Sequence, residues 1–153
     1  MAEEVSQPGY LIKLCGQVDE LLAILPAGWR IVSESWIMAG PGTALEAPLP
    51  PGYRLSVKGD GPVTLAEIEA PDGTLAARGY AAENEQVFIV DRIRTQTAHQ
   101  RLGLGRALMT ALCKARQDDA RPEILTATDE GRLLYLSLGW RVLSPYVTAE
   151  LAP

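Results

Sequence analysis

From Leu104 to Ala115 the apolar residues Leu104, Ala107, Leu108, Ala111, Leu112 and Ala115 fall at i, i+3, i+4, i+7, i+8 and i+11, with Arg106, Thr110, Lys114 and Gln117 on the other side. This spacing predicts a helix from Gly105 to Gln117 that buries one face. The residues before it narrow the choice further. Gln86 to Thr95 has strand character, and Gln100-Arg101-Leu102-Gly103-Leu104-Gly105 converts that strand into the helix. Lacking Cβ, Gly103 and Gly105 let the backbone curl until successive N–H groups point outward together. Unpaired N–H groups and a partial positive charge of roughly half a unit at a helix start favour a phosphate there. Arg101 and Arg106 add charge-assisted contacts. The third glycine of a dinucleotide fingerprint is missing, because Leu108 stands in its place, and no Gly-Lys-Ser/Thr follows to complete a nucleotide P-loop.

Around this unit the chain divides into three stretches. Residues 1–42 read as a helical N-terminal segment. Leu11, Leu14, Cys15, Val18, Leu22 and Leu25 recur at steps of three and four, which predicts a helix from Leu11 to Leu25 ended by Pro26 and Gly28, and a second, shorter helix from Trp29 to Met38. Residues 43–52, with Pro48, Pro50 and Pro51 following Pro41, read as an extended connector. Residues 53–153 form an α/β core. Its strands run over Tyr53 to Lys58, Val63 to Ala70, Thr74 to Ala82 and Gln86 to Thr95, with Pro71-Asp72-Gly73 and Glu83-Asn84-Glu85 as hairpin turns. The helix Gly105 to Gln117, a strand Ile124 to Thr128, a helix Glu130 to Leu138 and a strand pair Trp140 to Leu151 complete it. A 153-residue chain with 47% hydrophobic residues is sized for one domain.

The loop Gln100-x-x-Gly103-x-Gly105 resembles the Gln/Arg-x-x-Gly-x-Gly/Ala loop of the GNAT superfamily of acyl-CoA-dependent N-acyltransferases, and its place after a strand and before an amphipathic helix agrees. Leu134-Tyr135-Leu136-Ser137-Leu138-Gly139-Trp140 resembles that family's Leu-Tyr-x-x-x-Gly-Phe segment, with Trp140 in place of Phe. The resemblance covers about residues 53 to 149. It implies a mixed, mostly antiparallel sheet flanked by helices, with acetyl-CoA as acyl donor and its pyrophosphate on Gln100, Arg101, Leu102, Gly103, Leu104, Gly105 and Arg106. It also implies a pantetheine arm beside Ile93, Arg94 and Thr95, and Tyr135 as the acid that protonates the departing thiolate. The family's two helices between its first and second strands have only Gly59 to Pro62 in their place here, as if moved ahead of the sheet. On that placement Trp29, Trp36 and Met38 would line an acceptor pocket, with core packing as their other reading.

An amine attacks a thioester only when neutral, so a proton acceptor is needed. By alternation Ile89, Asp91, Ile93 and Thr95 share one face, which makes Asp91 the candidate base, with an ion pair to Arg92 or Arg94 as its structural alternative. Glu83 and Glu85 in the preceding turn are secondary base candidates that otherwise read as solvated turn charges, and His99 reads as an exposed residue that touches the nucleotide at most. Cys15 and Cys113 sit in helical patterns and read as buried reduced thiols. With one histidine and no clustered Cys or carboxylate ligands beside it, a zinc site or a Ser-His-Asp triad is disfavoured, so no metal is expected.

The net charge of -5, from 14 basic and 19 acidic residues, argues against a nucleic-acid surface. The acidic start Met1-Ala2-Glu3-Glu4 and the lack of an apolar run near the ~20 residues of a membrane span point to a cytoplasmic protein with no membrane partner. The expected function is acetyl transfer by a ternary complex to a small-molecule or peptide amine. The alternatives are a catalytically silent CoA-binding sensor and a domain whose loop takes another phosphorylated ligand. The proline-rich connector leaves room for a neighbouring subunit, and so for a homodimer.

Overall fold

The computed structural model describes residues 8–42 and 46–152. The acidic start Met1–Glu4 and residues 43–45 of the connector lie outside the described residues. The described elements run in the order β1 (Leu11–Cys15), α1 (Val18–Ile24), β2 (Trp29–Ala39), β3 (Arg54–Asp60), β4 (Val63–Glu69), β5 (Leu75–Glu83), β6 (Phe88–Thr95), α2 (Leu104–Lys114), β7 (Glu123–Ala127), α3 (Asp129–Ser137) and β8 (Arg141–Leu151), with a 3₁₀ turn at Thr97–His99. All eight strands join one sheet in the order β1-β8-β2-β7-β6-β5-β4-β3. Only β6 and β7 are parallel. This is the mixed, mostly antiparallel α/β sheet that the resemblance implies.

The meander β3 to β6 follows from its turns. Gly73 takes φ 85° and Asp72 Oδ1 accepts the Thr74 N–H at 3.0 Å, while Asn84 Oδ1 accepts from the Gln86 and Val87 amides at 2.8 and 3.0 Å. Across the sheet α2 lays its stripe on β4, β5 and β6, where Leu104, Leu108 and Leu112 are fully buried with Ala66, Ile68 and Phe88. Each buried leucine contributes about 1.5–3 kcal/mol.

The N-terminal segment corrects the sequence reading. Residues 11–25 divide into strand β1 and the short helix α1, and residues 29–39 form a strand, not a helix. In β1, Ile12 and Leu14 alternate inward, and pairing from Leu11↔Glu150 to Cys15↔Tyr146 outweighs a helical spacing that holds only on paper. In β2, Trp29, Ile31, Val32, Trp36 and Ile37 are β-branched or aromatic, and the strand is held on both sides, by β7 and β8. The strand pair expected over Trp140 to Leu151 is the single strand β8. Pro145 is tolerated inside it because its carbonyl faces β1, accepting the Gly16 N–H at 3.0 Å, so the missing N–H also points past the end of β1.

Candidate active site

β6 and β7 pair only through Phe88↔Glu123, Ile89↔Ile124 and Val90↔Leu125. Beyond Val90 they part, and a bulge shapes the divergence. Arg78 pairs with Arg94 and Tyr80 with Asp91, so Arg92 and Ile93 together oppose Gly79. Arg92 takes φ 54° there, the one extra residue such a bulge requires. The bulge resets the alternation. Phe88 and Val90 point inward, and after Arg92 the inward positions are Ile93 and Thr95. The expected shared face of Ile89, Asp91, Ile93 and Thr95 therefore does not form. Ile89 and Asp91 are exposed, whereas Ile93 packs on the core beneath α2.

Between the parted strands lies a cleft of about 240 Å³. Val90, Asp91, Arg92 and Ile93 form one wall, Thr126, Ala127 and Thr128 the other, and Gly131 and Tyr135 of α3 close it. Thr128 caps α3, its hydroxyl accepting the Gly131 N–H at 3.2 Å. The far end of α3 closes on Gly139 at φ 84°, with the Trp140 N–H on the Tyr135 carbonyl at 3.0 Å, the left-handed cap expected of that glycine. Between these caps Tyr135 is buried, its ring 6.0 Å from that of Trp140, and no described residue hydrogen-bonds its hydroxyl. Burial and then the Asp91 carboxylate push the phenol up to about 12. The two candidate catalytic residues thus face one cavity. Asp91 itself is solvated at the rim, ion-paired to Arg92 at 3.2 Å and accepting that residue's N–H at 2.8 Å.

The loop stands at the start of α2. Arg101 and Gly103 take φ 63° and 80°, with Gly103 as the left-handed N-cap. Among the described residues, none of the N–H groups from Arg101 to Arg106 donates to a protein acceptor, and the first committed amide is Ala107, bonded to the Gly103 carbonyl at 3.1 Å. Arg101, Leu102 and Gly103 are exposed, while Leu104 is buried as the first residue of the helix stripe. A Cβ on Gly105 would stand 3.1 Å from Leu134 Cδ2 and 4.0 Å from Thr95 Oγ1, so this glycine brings the loop against both α3 and the end of β6. Arg106 reaches Ser137 of α3 at 3.4 Å. Arg94 lies exposed on β6 one residue short of Thr95.

Several expectations are corrected. Met38 is buried in the main core and Trp29 packs with the separate cluster of Leu21, Val147 and Ala149, so neither lines the cleft. Trp36 instead braces α3, donating Nε1–H to Asp129 at 2.6 Å beneath the Arg132 guanidinium, 4.4 Å above its ring. His99 is half-buried, with Nδ1 2.9 Å from the Tyr53 hydroxyl. The Glu83 side chain is buried and takes Arg121 at 2.6 Å and the Gln117 N–H at 3.0 Å, a structural cap rather than a solvated charge. Cys15 is exposed on β1, and Cys113 is half-buried, its thiol pushed up to about 12 by burial and then by Glu123.

Val90, Thr126, Ala127, Thr128 and Gly131 are the cleft residues that the sequence reading does not single out. The only local signal for them is Thr128 ahead of Asp129 and Glu130, an N-cap pattern. Gly79 within a strand pattern is the corresponding hint of the bulge.

No protein-family model matches the sequence, and neither does any curated protein. Solved structures do match. A GCN5-related N-acetyltransferase from Kribbella flavida superposes with a TM-score of 0.66 at 21% identity, over 89% of this chain and 64% of its own. One from Sphaerobacter thermophilus gives 0.66 at 14%, over 94% and 60%. A tandem GNAT protein from the clavulanic acid biosynthesis pathway gives 0.61 at 15%, over 80% and 55%. This chain therefore spans less than two thirds of each of these. What it shares with them is their architecture, and the chain has the GNAT fold.

Proposed function

We propose that the chain is an acyl-CoA-dependent N-acyltransferase that moves an acetyl group from acetyl-CoA to an amine directly, with both bound together. The observation that supports this best is the parting of β6 and β7 after Val90 and Leu125, beside a loop whose amides from Arg101 to Arg106 have no protein acceptor. These amides suit a diphosphate, and Arg101 and Arg106 supply charge-assisted contacts. The backbone of Ile93 and Thr95, facing away from β5 where β7 has parted, offers hydrogen-bonding groups to the amides of a pantetheine arm, and Arg94 between them holds the strand to Arg78 of β5.

Bound acyl-CoA supplies an activated thioester. Tyr135, raised to about 12, carries its proton at neutral pH. A thiol titrates near 8.5, so handing the phenolic proton over completely would run uphill by ~3.5 units, or ~5 kcal/mol. Tyr135 therefore acts chiefly by donating a hydrogen bond to the thiolate as it forms, with solvent completing the protonation. Asp91 at the rim takes the ammonium proton of the acceptor, directly or through water, in competition with its ion pair to Arg92. The acceptor is an amine small enough, or a peptide end slender enough, to reach this rim.

The test is release of free thiol from acetyl-CoA by the purified chain against a panel of small amines, alongside calorimetric titration with CoA. Tyr135→Phe should slow release by about 10²-fold while leaving CoA affinity unchanged. CoA binding with no turnover on any amine would turn the reading towards a silent CoA-binding module. No heat on titration with CoA would overturn it.

A further inference from the structure

β3 is the outermost strand at one end of the sheet, and all seven of its residues are exposed. One edge pairs with β4 in an unbroken ladder from Arg54↔Glu69 to Asp60↔Val63. Nothing among the described residues pairs with the other edge. A free edge is a template for another strand, and proteins commonly blunt it with a bulge, a proline or a very short strand. β3 is regular and contains no proline. Leu55 and Val57, 38% and 43% exposed, sit opposite the buried Ile68 and Ala66 on the side covered by α2, and so extend an apolar layer past the end of the helix.

We infer that this edge pairs with the same edge of a second copy, antiparallel, about a two-fold axis through Val57, so that two sheets become one. Charge pattern and length of overlap together select this register. An axis at Gly59 would also set Lys58 opposite Asp60, and one at Leu55 opposes no charges, but each overlaps only one end of the strand, whereas an axis at Val57 overlaps all seven residues. An axis at Val57 places Arg54 opposite Asp60 twice, Leu55 opposite Gly59 and Ser56 opposite Lys58. Within its own chain Asp60 makes no ion pair among the described residues, and Arg54, 3.3 Å from Glu69 with its side chain 73% exposed, has further guanidinium N–H groups to offer a second carboxylate. Moving the axis to Ser56 sets Arg54 opposite Lys58, and moving it to Lys58 sets that lysine against itself. Both juxtapose like charges, which destabilises a cross-strand pair. An axis between two residues is excluded because it would oppose outward-directed backbone groups to inward-directed ones. A two-fold axis perpendicular to the sheet keeps the helices of both copies on the same side. Leu55 of each copy then lies against the Gly59 and Val57 of its mate. The contact uses one patch twice and so closes at two copies.

The test is sedimentation equilibrium of the full chain across the micromolar range, with circular dichroism to verify the fold of each variant. The wild type should dimerise. Asp60→Arg, which opposes arginine to arginine at both pairs, should raise the dissociation constant by about tenfold or more, and the swap Arg54→Asp with Asp60→Arg should restore it to within about threefold. In a Cys15→Ser background, Val57→Cys should oxidise to a disulfide-linked dimer, because the two copies of that position meet on the axis at about 5 Å between Cα atoms. A chain that stays monomeric, a dimer indifferent to Asp60→Arg, or a dimer in which Val57→Cys fails to cross-link would each overturn the inference.

Discussion

Gly79→Ala tests whether the bulge sets the wall of the cleft. Gly79 opposes the two-residue step Arg92 and Ile93, and a Cβ added there overlaps Ile93 Cδ1, comes to 3.3 Å from Leu112 Cδ1 and to 3.5 Å from Ile93 Cγ1. Alanine for glycine would ordinarily gain about 0.5–1 kcal/mol by restricting the unfolded chain. Here the new methyl must displace a side chain packed beneath α2, an overpacking that costs about 1–3 kcal/mol, so the net change should be destabilising by about 1–2 kcal/mol. Ile93→Val removes the overlapping Cδ1 and alone should cost about 0.5–1.5 kcal/mol. With that atom gone the closest Ile93 contact is the ordinary one at 3.5 Å, so the double variant should be at least about 1 kcal/mol more stable than the sum of the singles implies. Urea unfolding with unchanged slopes gives all four stabilities, and CoA titration should follow them, because Ile93 lines the cleft. Strict additivity of the two substitutions, or a Gly79→Ala variant as stable as the wild type, would refute the reasoning.

Glu123→Gln should destabilise the chain by about 3 kcal/mol in denaturant melts, because the carboxylate, 2.6 Å from Arg116 with both side chains at most 3% exposed, leaves a guanidinium buried with its inner partner neutralised; a loss below about 1 kcal/mol would contradict this. Tyr135 and Cys113 lose their protons near the ordinary 10.0 and 9.0 when unfolded but only near 12 when folded, so their contribution is whole below about pH 9 and is lost as pH rises towards 12. At about 1.4 kcal/mol per unit this amounts to roughly 3 and 4 kcal/mol, and Cys113→Ala should flatten the fall in urea midpoint between pH 9 and 11. Gly103→Ala, at φ 80° with no atom near its Cβ, should cost about 1 kcal/mol of stability from backbone strain alone, while weakening CoA binding in a titration. Wild-type affinity in that variant would detach the loop from the cofactor.

The parts of the chain legible from the amino-acid order are those whose structure is locally dictated. The stripe from Leu104 to Ala115, the glycines that open it, the Asp72-Gly73 turn and the cap at Gly139 each rest on side chains and dihedrals within a few residues, and each formed where the pattern put it. Whatever depends on distant partners was settled by the fold as a whole. Residues 11–15 and 29–39 carry spacing compatible with a helix, and they are strands because β8 and β7 lie alongside and complete their hydrogen bonds. Likewise, Asp91 and Ile93 left the face they would share by simple alternation because one residue, Arg92, bulges opposite a glycine on another strand. A local period specifies which residues point together, but pairing across the sheet settles which period is used, and one extra residue in a ladder reverses every side chain that follows it.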